Sequence, residues 1–352
     1  MSHAEAPPPD VLAAWGWEAA AVSAISIGLI NRTYRVEIGA RRFILQRLHP
    51  VFAPEVNLDI EAITSHLARR GVTTPRLVRT RRDEPWVLDT ESRPWRALTF
   101  VEGRCEPEIR RPSLARAAGA MAGRFTRATA DLEHRFAFSR AGVHDTLRHL
   151  ARLEAARGAR CGDEGPETDA ARALADEILA HARDLPRLGR LPLRIVHGDL
   201  KASNVLFAHE RDEAVCLVDL DTMAHGTIAT EMGDALRSWT NPKGEDDLRG
   251  AVDLALFEAA VEGYLSEAGE LLDADERASL PAGLETIALE LASRFCLDVL
   301  EDRYFGWDAS RHPSRRAHNL VRARSQLSLA RSARDLRSEL ERLVTRAARQ
   351  PR

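Results

Sequence analysis

The sequence predicts an α+β fold in two lobes, a small antiparallel-sheet lobe followed by a larger, mainly helical one. Three observations predict it. In the first hundred residues short runs of strand-like alternation are separated by turn residues. Beyond Glu102-Gly103 the apolar residues recur at helical spacing over long stretches. The helices are then interrupted by "VHGDLKASNVLF", Val196 to Phe207, a polar cluster between two apolar ends. Twelve residues past Asn204 begins "CLVDLDTM", an apolar run that closes on two aspartates.

Each element has its own signal. "TYRVEI" places Tyr34, Val36 and Ile38 on one face, and "GAR" turns the chain into "RFILQRL", a hairpin. "APEVNLDIEAITSHLARRG" sets Val56, Ile60, Ile63 and Leu67 at helical spacing, and Gly71 supplies the stop. "PWVLDT" and "WRALTFV" flank the turn residues Glu91 to Pro94 and form a second hairpin. "PSLARAAGAMAGRF" puts Leu114, Ala118, Met121 and Phe125 on one helix face; "HDTLRHLARLEAA" and "TDAARALADEILAHARDL" follow as helices. "RIVHG", "NVLFA" and "AVCLVDL" are short strands around the polar cluster, "RGARCGDEGPET" is a solvated loop, and helices resume to the end. The division is a disordered tail over 1–10, a sheet lobe over 11–101 and a helical lobe over 102–352.

Composition narrows the function classes. A net charge of −3 over 352 residues gives no global attraction to nucleic acid or an anionic surface. No apolar stretch is long enough to span a bilayer. "MSHAEAPPPD" has neither the basic flank nor the apolar core of a signal peptide, and the four cysteines (Cys105, Cys161, Cys216, Cys296) lack metal-site spacing. They read as reduced thiols in a cytoplasmic protein. The arginines after Arg311 lie on amphipathic helices and form a solvated face. The expected partner is therefore a small molecule, with no nucleic acid and no membrane. Of the 50 basic residues only Lys201 and Lys243 are lysines.

The order Asp199, Lys201, Asn204, Asp219 suits magnesium-dependent phosphoryl transfer. That reaction needs a carboxylate to orient the attacking hydroxyl and accept its proton, hard oxygen ligands for Mg²⁺, and a cation near the moving phosphoryl group. Asp199 fits the base, Asn204 and Asp219 the metal pair, and Lys201 the cation. Asp221 either supports the metal ligands from behind, or is a second-metal residue, or is merely a hydrogen-bonder. His197 braces the loop through its ring. The flanking strands supply rigid walls for a loop that must hold several groups in register.

"HGDLKASN" followed by "LVDLD" resembles the aminoglycoside phosphotransferase and choline kinase superfamily, relatives of the protein kinases, which implies a bilobal protein-kinase-like fold. The chain departs from protein kinases in carrying His-Gly-Asp for His-Arg-Asp and Asp-Leu-Asp for Asp-Phe-Gly. It also has no G-x-G-x-x-G before the first hairpin, which favours a small-molecule acceptor. More narrowly, "GLINRTYRV", "RFILQRLHPVFAPE", "ITSHL", "WRALTFVEG", "VDLDTM", "GDALRSWTN", "DRYF" and "HNLVRARSQ" are similar, in order from about Gly28 to Gln326, to the N-acetylhexosamine 1-kinases. Those enzymes use ATP to phosphorylate the anomeric hydroxyl of N-acetylglucosamine or N-acetylgalactosamine.

The resemblance implies further roles. Nucleotide would lie between the lobes, with the adenine at the connector, Phe100, Val101 and Glu102, and the loop "SIGLINRTY", with Gly28 and Asn31, over the phosphates. Asp234 would tie the catalytic loop to a following helix, with Arg237 either its neighbour or turned to the ligand. Kinases usually set a strand Lys against a helical Glu. Here the strand offers Gln46 and Arg47, of which only one can face the cleft. Arg47 would pair with Glu61 or Glu55; an inward Gln46 would leave phosphate to backbone amides, Mg²⁺ and Lys201. For the acceptor, Trp239 could stack on a sugar face or pack in the core, and Asp246 or Asp247 could bind hydroxyls or an amine or start a helix. Two other readings are a kinase of an aminoglycoside, homoserine or a choline-like amine, and a non-catalytic nucleotide-binding pseudokinase. Retention of Asp199, Asn204 and Asp219 argues against the latter.

Overall fold

The computed structural model describes residues 6–25, 30–140, 142–159 and 165–349. Residues 1–5 of the expected tail, Gly28, and Cys161 with the middle of its loop lie outside the described residues.

The small lobe opens with α1 (Pro9–Trp15), so Pro9 and Asp10 of the stretch expected as tail begin a helix. Pro9 sits at the helix start, where its missing N–H removes no helical hydrogen bond. Strands β1 (Ala21–Ile25), β2 (Arg32–Ile38) and β3 (Arg41–Arg47) follow, then α2 (Val56–Arg69), β4 (Leu77–Val78), β5 (Val87–Leu88) and β6 (Pro94–Thr99). They form one antiparallel sheet in the order β1-β2-β3-β6-β4, with β5 paired to β6. Both expected hairpins are present. Strand β1 was not expected: "AVSAI" is a mostly exposed edge strand of small residues and shows little alternation.

The register of β3 against β6 decides the faces. Phe43 and Leu45 lie on one side with Trp95 and Ala97, and with Tyr34, Val36 and, from α1 and just beyond, Val11, Trp15 and Trp17 they form a separate outer core. Trp17 stacks on Phe43 at 4.8 Å, and Trp15 Nε1 donates to Val78 O at 2.7 Å. Ile44 and Leu98 face the other way, toward the larger core that takes in Ile60, Ile63 and Leu67 of α2. Helix α2 is thus packed with the large lobe as much as with its own sheet.

The chain crosses at Phe100–Glu102 into β7 (Arg104–Cys105), then α3 (Pro112–Thr129), α4 (Thr146–Gly158) and α5 (Pro166–Ala182), the three helices expected there. Strands β8 (Arg194–Val196), β9 (Val205–Phe207), β10 (Ala214–Leu217) and β11 (Ala224–Gly226) make two small sheets, β10-β9-β7 and β11-β8. Helices α6 (Ile228–Trp239), α7 (Leu254–Ala268), α8 (Ala274–Ala278), α9 (Leu280–Glu301), α10 (Arg315–Asp335) and α11 (Arg337–Ala348) complete the fold. Helix α9 is buried along most of its 22 residues. Helices α3 and α7 touch backbone to backbone: a Cβ on Gly119 would lie 2.0 Å from Ala260 O, and one on Gly263 2.1 Å from Arg116 O. Among the described residues no helix is long and apolar enough to cross a membrane.

Candidate active site

The polar cluster forms a tight loop between β8 and β9. His197 is fully buried; its Nε2 meets Val218 O at 3.0 Å and its Nδ1 accepts from the Asp199 backbone N–H at 3.3 Å. That arrangement needs a neutral ring protonated on Nε2, and burial does lower the pKa of His197. Gly198 is left-handed (φ 78°), and a Cβ there would stand 2.5 Å from Thr222 O. This explains the Gly in the triplet: the loop passes against the turn after β10 too closely for any side chain. Thr222 Oγ1 in turn donates to His197 O at 2.9 Å.

Asp199 is held from two directions. Its Oδ2 accepts from Lys201 Nζ at 2.7 Å and from Asn204 Nδ2 at 3.0 Å, and its carbonyl accepts from Asn204 Nδ2 at 2.8 Å. Burial opposes ionisation of Asp199. The charge and hydrogen bond of Lys201, with the Arg237 guanidinium, nevertheless hold its pKa below the ordinary value. Burial likewise works against Lys201, and Asp199 and Asp219 outweigh it, so the amine stays protonated.

Asp219 follows β10 in a left-handed conformation (φ 66°) and leads a single 3₁₀ turn, Leu220–Thr222. No described residue donates a hydrogen bond to its carboxylate. Burial, then the charge of Asp221, with a smaller push from Asp199, raise its pKa to about 6 against the pull of Lys201 and Arg96. The Asn204 amide nitrogen is committed to Asp199, leaving its hard carbonyl oxygen without a hydrogen bond from the described residues. An amide oxygen and an electrostatically unrelieved carboxylate fit a divalent cation of the Mg²⁺ type.

Asp221 is committed elsewhere. Both its oxygens accept from the Arg96 guanidinium of β6, Oδ2 at 2.8 Å from Nη2, and Asn31 Nδ2 donates to Oδ2 at 2.7 Å. Of the alternatives for Asp221 the hydrogen-bonding one is what the structure displays: its oxygens serve a buried ion pair across the lobes. Asn31 is correspondingly turned to Asp221, and its Oδ1 accepts from His49 N at 2.9 Å.

The strand question is answered by register. Gln46 is opposite Arg96 and shares its face, while Arg47 is opposite Trp95 on the outer face with Leu45. Gln46 Oε1 accepts from Arg96 Nε and Nη2 at 2.9 and 2.7 Å. Arg47 therefore points away from the face that carries Gln46 and Arg96. Its expected partner Glu61 is taken by Arg79 in a two-pronged pair at 2.7 and 2.6 Å. At the connector, Arg42 lies over the Phe100 ring at 4.9 Å and pairs with Glu102, which also sits 3.6 Å from His209. Val101 is half-buried between them.

Three expectations for the acceptor side change. Trp239 is 0 % exposed in the main core, so it packs and cannot stack on a ligand. Asp246 accepts from His318 at 2.8 Å, Arg311 at 2.8 Å and Arg322 at 3.4 Å. Asp247 closes its own loop on the Arg249 N–H at 2.8 Å. Asp246 is thus ringed by cationic partners, while Asp247 is partly exposed and engages only Oδ1. Asp234 pairs with Arg237 on its own helix at 2.8 Å. The tie to the catalytic loop is made by Glu231, one turn earlier, whose two oxygens accept from the His197 and Gly198 N–H groups at 2.8 and 2.9 Å. Sequence reasoning missed Glu231 and Arg96. The signal for each was a charged residue within an apolar run, "TEMGDALRSW" and "WRALTFV". The "DRYF" and "HNL" motifs meet at Asp298, which accepts from the backbone of Arg303, Tyr304 and Phe305 and from Asn319 Nδ2.

Comparison with known proteins agrees with this architecture. The structure of a microcompartment-associated aminopropanol kinase is similar over 95 % of this chain and 98 % of its own, at 20 % identity and a TM-score of 0.64. An aminoglycoside phosphotransferase from Alicyclobacillus acidocaldarius is similar over 97 % and 98 %, at 18 % identity and 0.62. An amicoumacin kinase in complex with AMP-PNP, Ca²⁺ and Ami is similar over 87 % of each chain, at 15 % identity and 0.60. These likenesses bear out the bilobal, protein-kinase-like α+β fold. Residues 21–272, covering both the sheet lobe and the catalytic loop, match the phosphotransferase enzyme family, to which this chain therefore belongs.

Proposed function

We propose that this protein transfers the γ-phosphoryl group of ATP, with Mg²⁺, to a hydroxyl of a small sugar, the anomeric hydroxyl of an N-acetylhexosamine or a related molecule. The observation that carries phosphoryl transfer is the convergence of Lys201 and Asn204 on the Asp199 carboxylate, with Asp219 beside them. In this reading Asp199 orients the acceptor hydroxyl and takes its proton as the oxygen attacks the γ-phosphorus, and ADP leaves. Lys201 keeps Asp199 ionised and balances charge near the transferred group. Asn204 and Asp219 would hold the divalent ion, whose chemistry when bound is to neutralise phosphate charge. The nucleotide would lie between the 11–101 and 102–352 lobes, with adenine at Phe100–Glu102.

The acceptor reading is supported by the state of the acids. A cationic acceptor wants free carboxylates, and Glu245, Asp246 and Asp247 are each engaged by arginine or histidine. The second reading, a hydroxyl on an amine-bearing acceptor, is favoured by the likeness to aminopropanol and amicoumacin kinases. The test is ATP consumption with a panel of N-acetylhexosamines, amino alcohols and aminoglycosides, with the phosphorylated position read by phosphorus NMR. Turnover of N-acetylhexosamines to the 1-phosphate supports the first reading; activity confined to amines replaces it with the second.

A further inference from the structure

The small lobe contains no lysine, and its one cleft-facing candidate on β3, Gln46, is neutral. The same face carries Arg96, on the neighbouring strand and directly opposite Gln46. We infer that Arg96 is a positioning residue that takes over the anchoring task of the missing strand lysine, with Asp221 of the large lobe, rather than a glutamate of α2, as its partner.

Every contact of Arg96 points to one task. Nε and Nη2 donate to Gln46 Oε1, which fixes the guanidinium plane against the sheet, and Gln46 Nε2 is itself held by Thr33 Oγ1 at 3.1 Å. Nη1 and Nη2 reach the two oxygens of Asp221, and Asn57 Oδ1 of α2 lies 3.4 Å from Nη1. Asn31 completes the shell on Oδ2 of Asp221. Arg96 is 1 % exposed and the Asp221 side chain 0 %. Three parts of the small lobe (the sheet, α2 and the segment at Asn31) are thus fastened to one carboxylate of the large lobe.

That carboxylate lies two residues after Asp219, inside the single turn Leu220–Thr222. A turn this short transmits displacement, and Asp219 already occupies a left-handed conformation that a non-glycine residue holds only when its surroundings enforce it. A buried ion pair adds little net stability over well-packed apolar groups. Its use here is geometric: it sets the metal-binding carboxylate relative to the sheet that roofs the nucleotide.

This inference rests on the phosphoryl-transfer reading, and the test separates the two. Wild type, Arg96→Lys, an apolar double variant Arg96→Met/Asp221→Leu and Asp199→Asn are compared in three measurements: thermal denaturation, calorimetric binding of the non-hydrolysable ATP analogue AMP-PNP across a Mg²⁺ titration, and turnover. The double variant is expected to fold with a melting temperature near wild type, to lose about 10- to 100-fold in Mg²⁺-dependent nucleotide affinity and a similar factor in kcat, with acceptor KM unchanged. Arg96→Lys is expected to regain part of both losses. Asp199→Asn should lose turnover while binding Mg²⁺ and analogue normally. A folded double variant that binds Mg²⁺ and analogue as wild type does overturns the inference. If the double variant does not fold, Arg96→Lys decides: unchanged Mg²⁺ half-saturation overturns it and a raised value supports it. If wild type phosphorylates no acceptor, the phosphoryl-transfer reading fails, and the calorimetric comparison still decides the role of Arg96.

Discussion

Glu231 on α6 accepts hydrogen bonds from two consecutive backbone N–H groups of the catalytic loop, His197 at 2.8 Å and Gly198 at 2.9 Å. One buried carboxylate therefore satisfies both donors where the chain leaves β8, and it binds α6 to the residue preceding Asp199. Burial raises the Glu231 pKa from 4.5 to about 7 against the pull of these two hydrogen bonds. A folded-state pKa above the unfolded one means the folded chain binds more protons. The stability contributed is full below about pH 4.5 and is lost as pH rises through about 7. Glu231→Gln should flatten this pH dependence, a span on the order of 3 kcal/mol, in urea denaturation measured from pH 4.5 to 8.

Asp199→Asn keeps the shape of the side chain and removes its ability to accept a proton. Turnover should fall by about 10² to 10⁴-fold while the fold persists. The check is ATP consumption with the preferred acceptor, alongside circular dichroism. Wild-type turnover in the variant would remove Asp199 from its role.

Gly198→Ala places a methyl 2.5 Å from Thr222 O on a residue at φ 78°. The loop must shift, and Asp199 with it. A shift of about 1 Å at a reacting group costs on the order of 100-fold in rate. Steady-state kinetics should show kcat falling much more than acceptor KM changes.

Trp239 fills the core at the end of α6. Trp239→Phe should destabilise the protein by about 1–3 kcal/mol through lost packing, read by chemical denaturation. Acceptor KM should stay within about twofold of wild type under conditions where the variant remains folded. A large rise in KM would return Trp239 to the ligand site.

How far the sequence could be read depended on how local the determining physics was. The hairpin at Tyr34–Leu48 was legible because its strands alternate between a buried and a more exposed face, and that at Trp86–Val101 because the turn residues Glu91 to Pro94 divide two apolar runs, although β6 is buried on both faces. Strand β1 was not, because an edge strand of Ala and Ser buries little on either face. Whether Gln46 or Arg47 meets the cleft was undecidable, since a period of two says only that they face apart; pairing with β6 resolves it. Trp239 and Asp246 show the same limit. A tryptophan that stacks on a sugar and one that packs in a core look alike in sequence, as do a free acid and one ringed by Arg311, Arg322 and His318.

The sequence by itself determined the order of the lobes and the set of groups at the catalytic loop, because Asp199, Lys201 and Asn204 lie within one turn of one another and are brought together by local backbone geometry. Tertiary structure alone decided which charges remain available. Arg96 and Asp221, 125 positions apart, neutralise each other only because β6 and the turn after β10 are packed face to face. Hydrogen bonds and close ion pairs act over a few ångströms, so the partner a charged group finds is set by register and packing, neither of which is written at the residue itself.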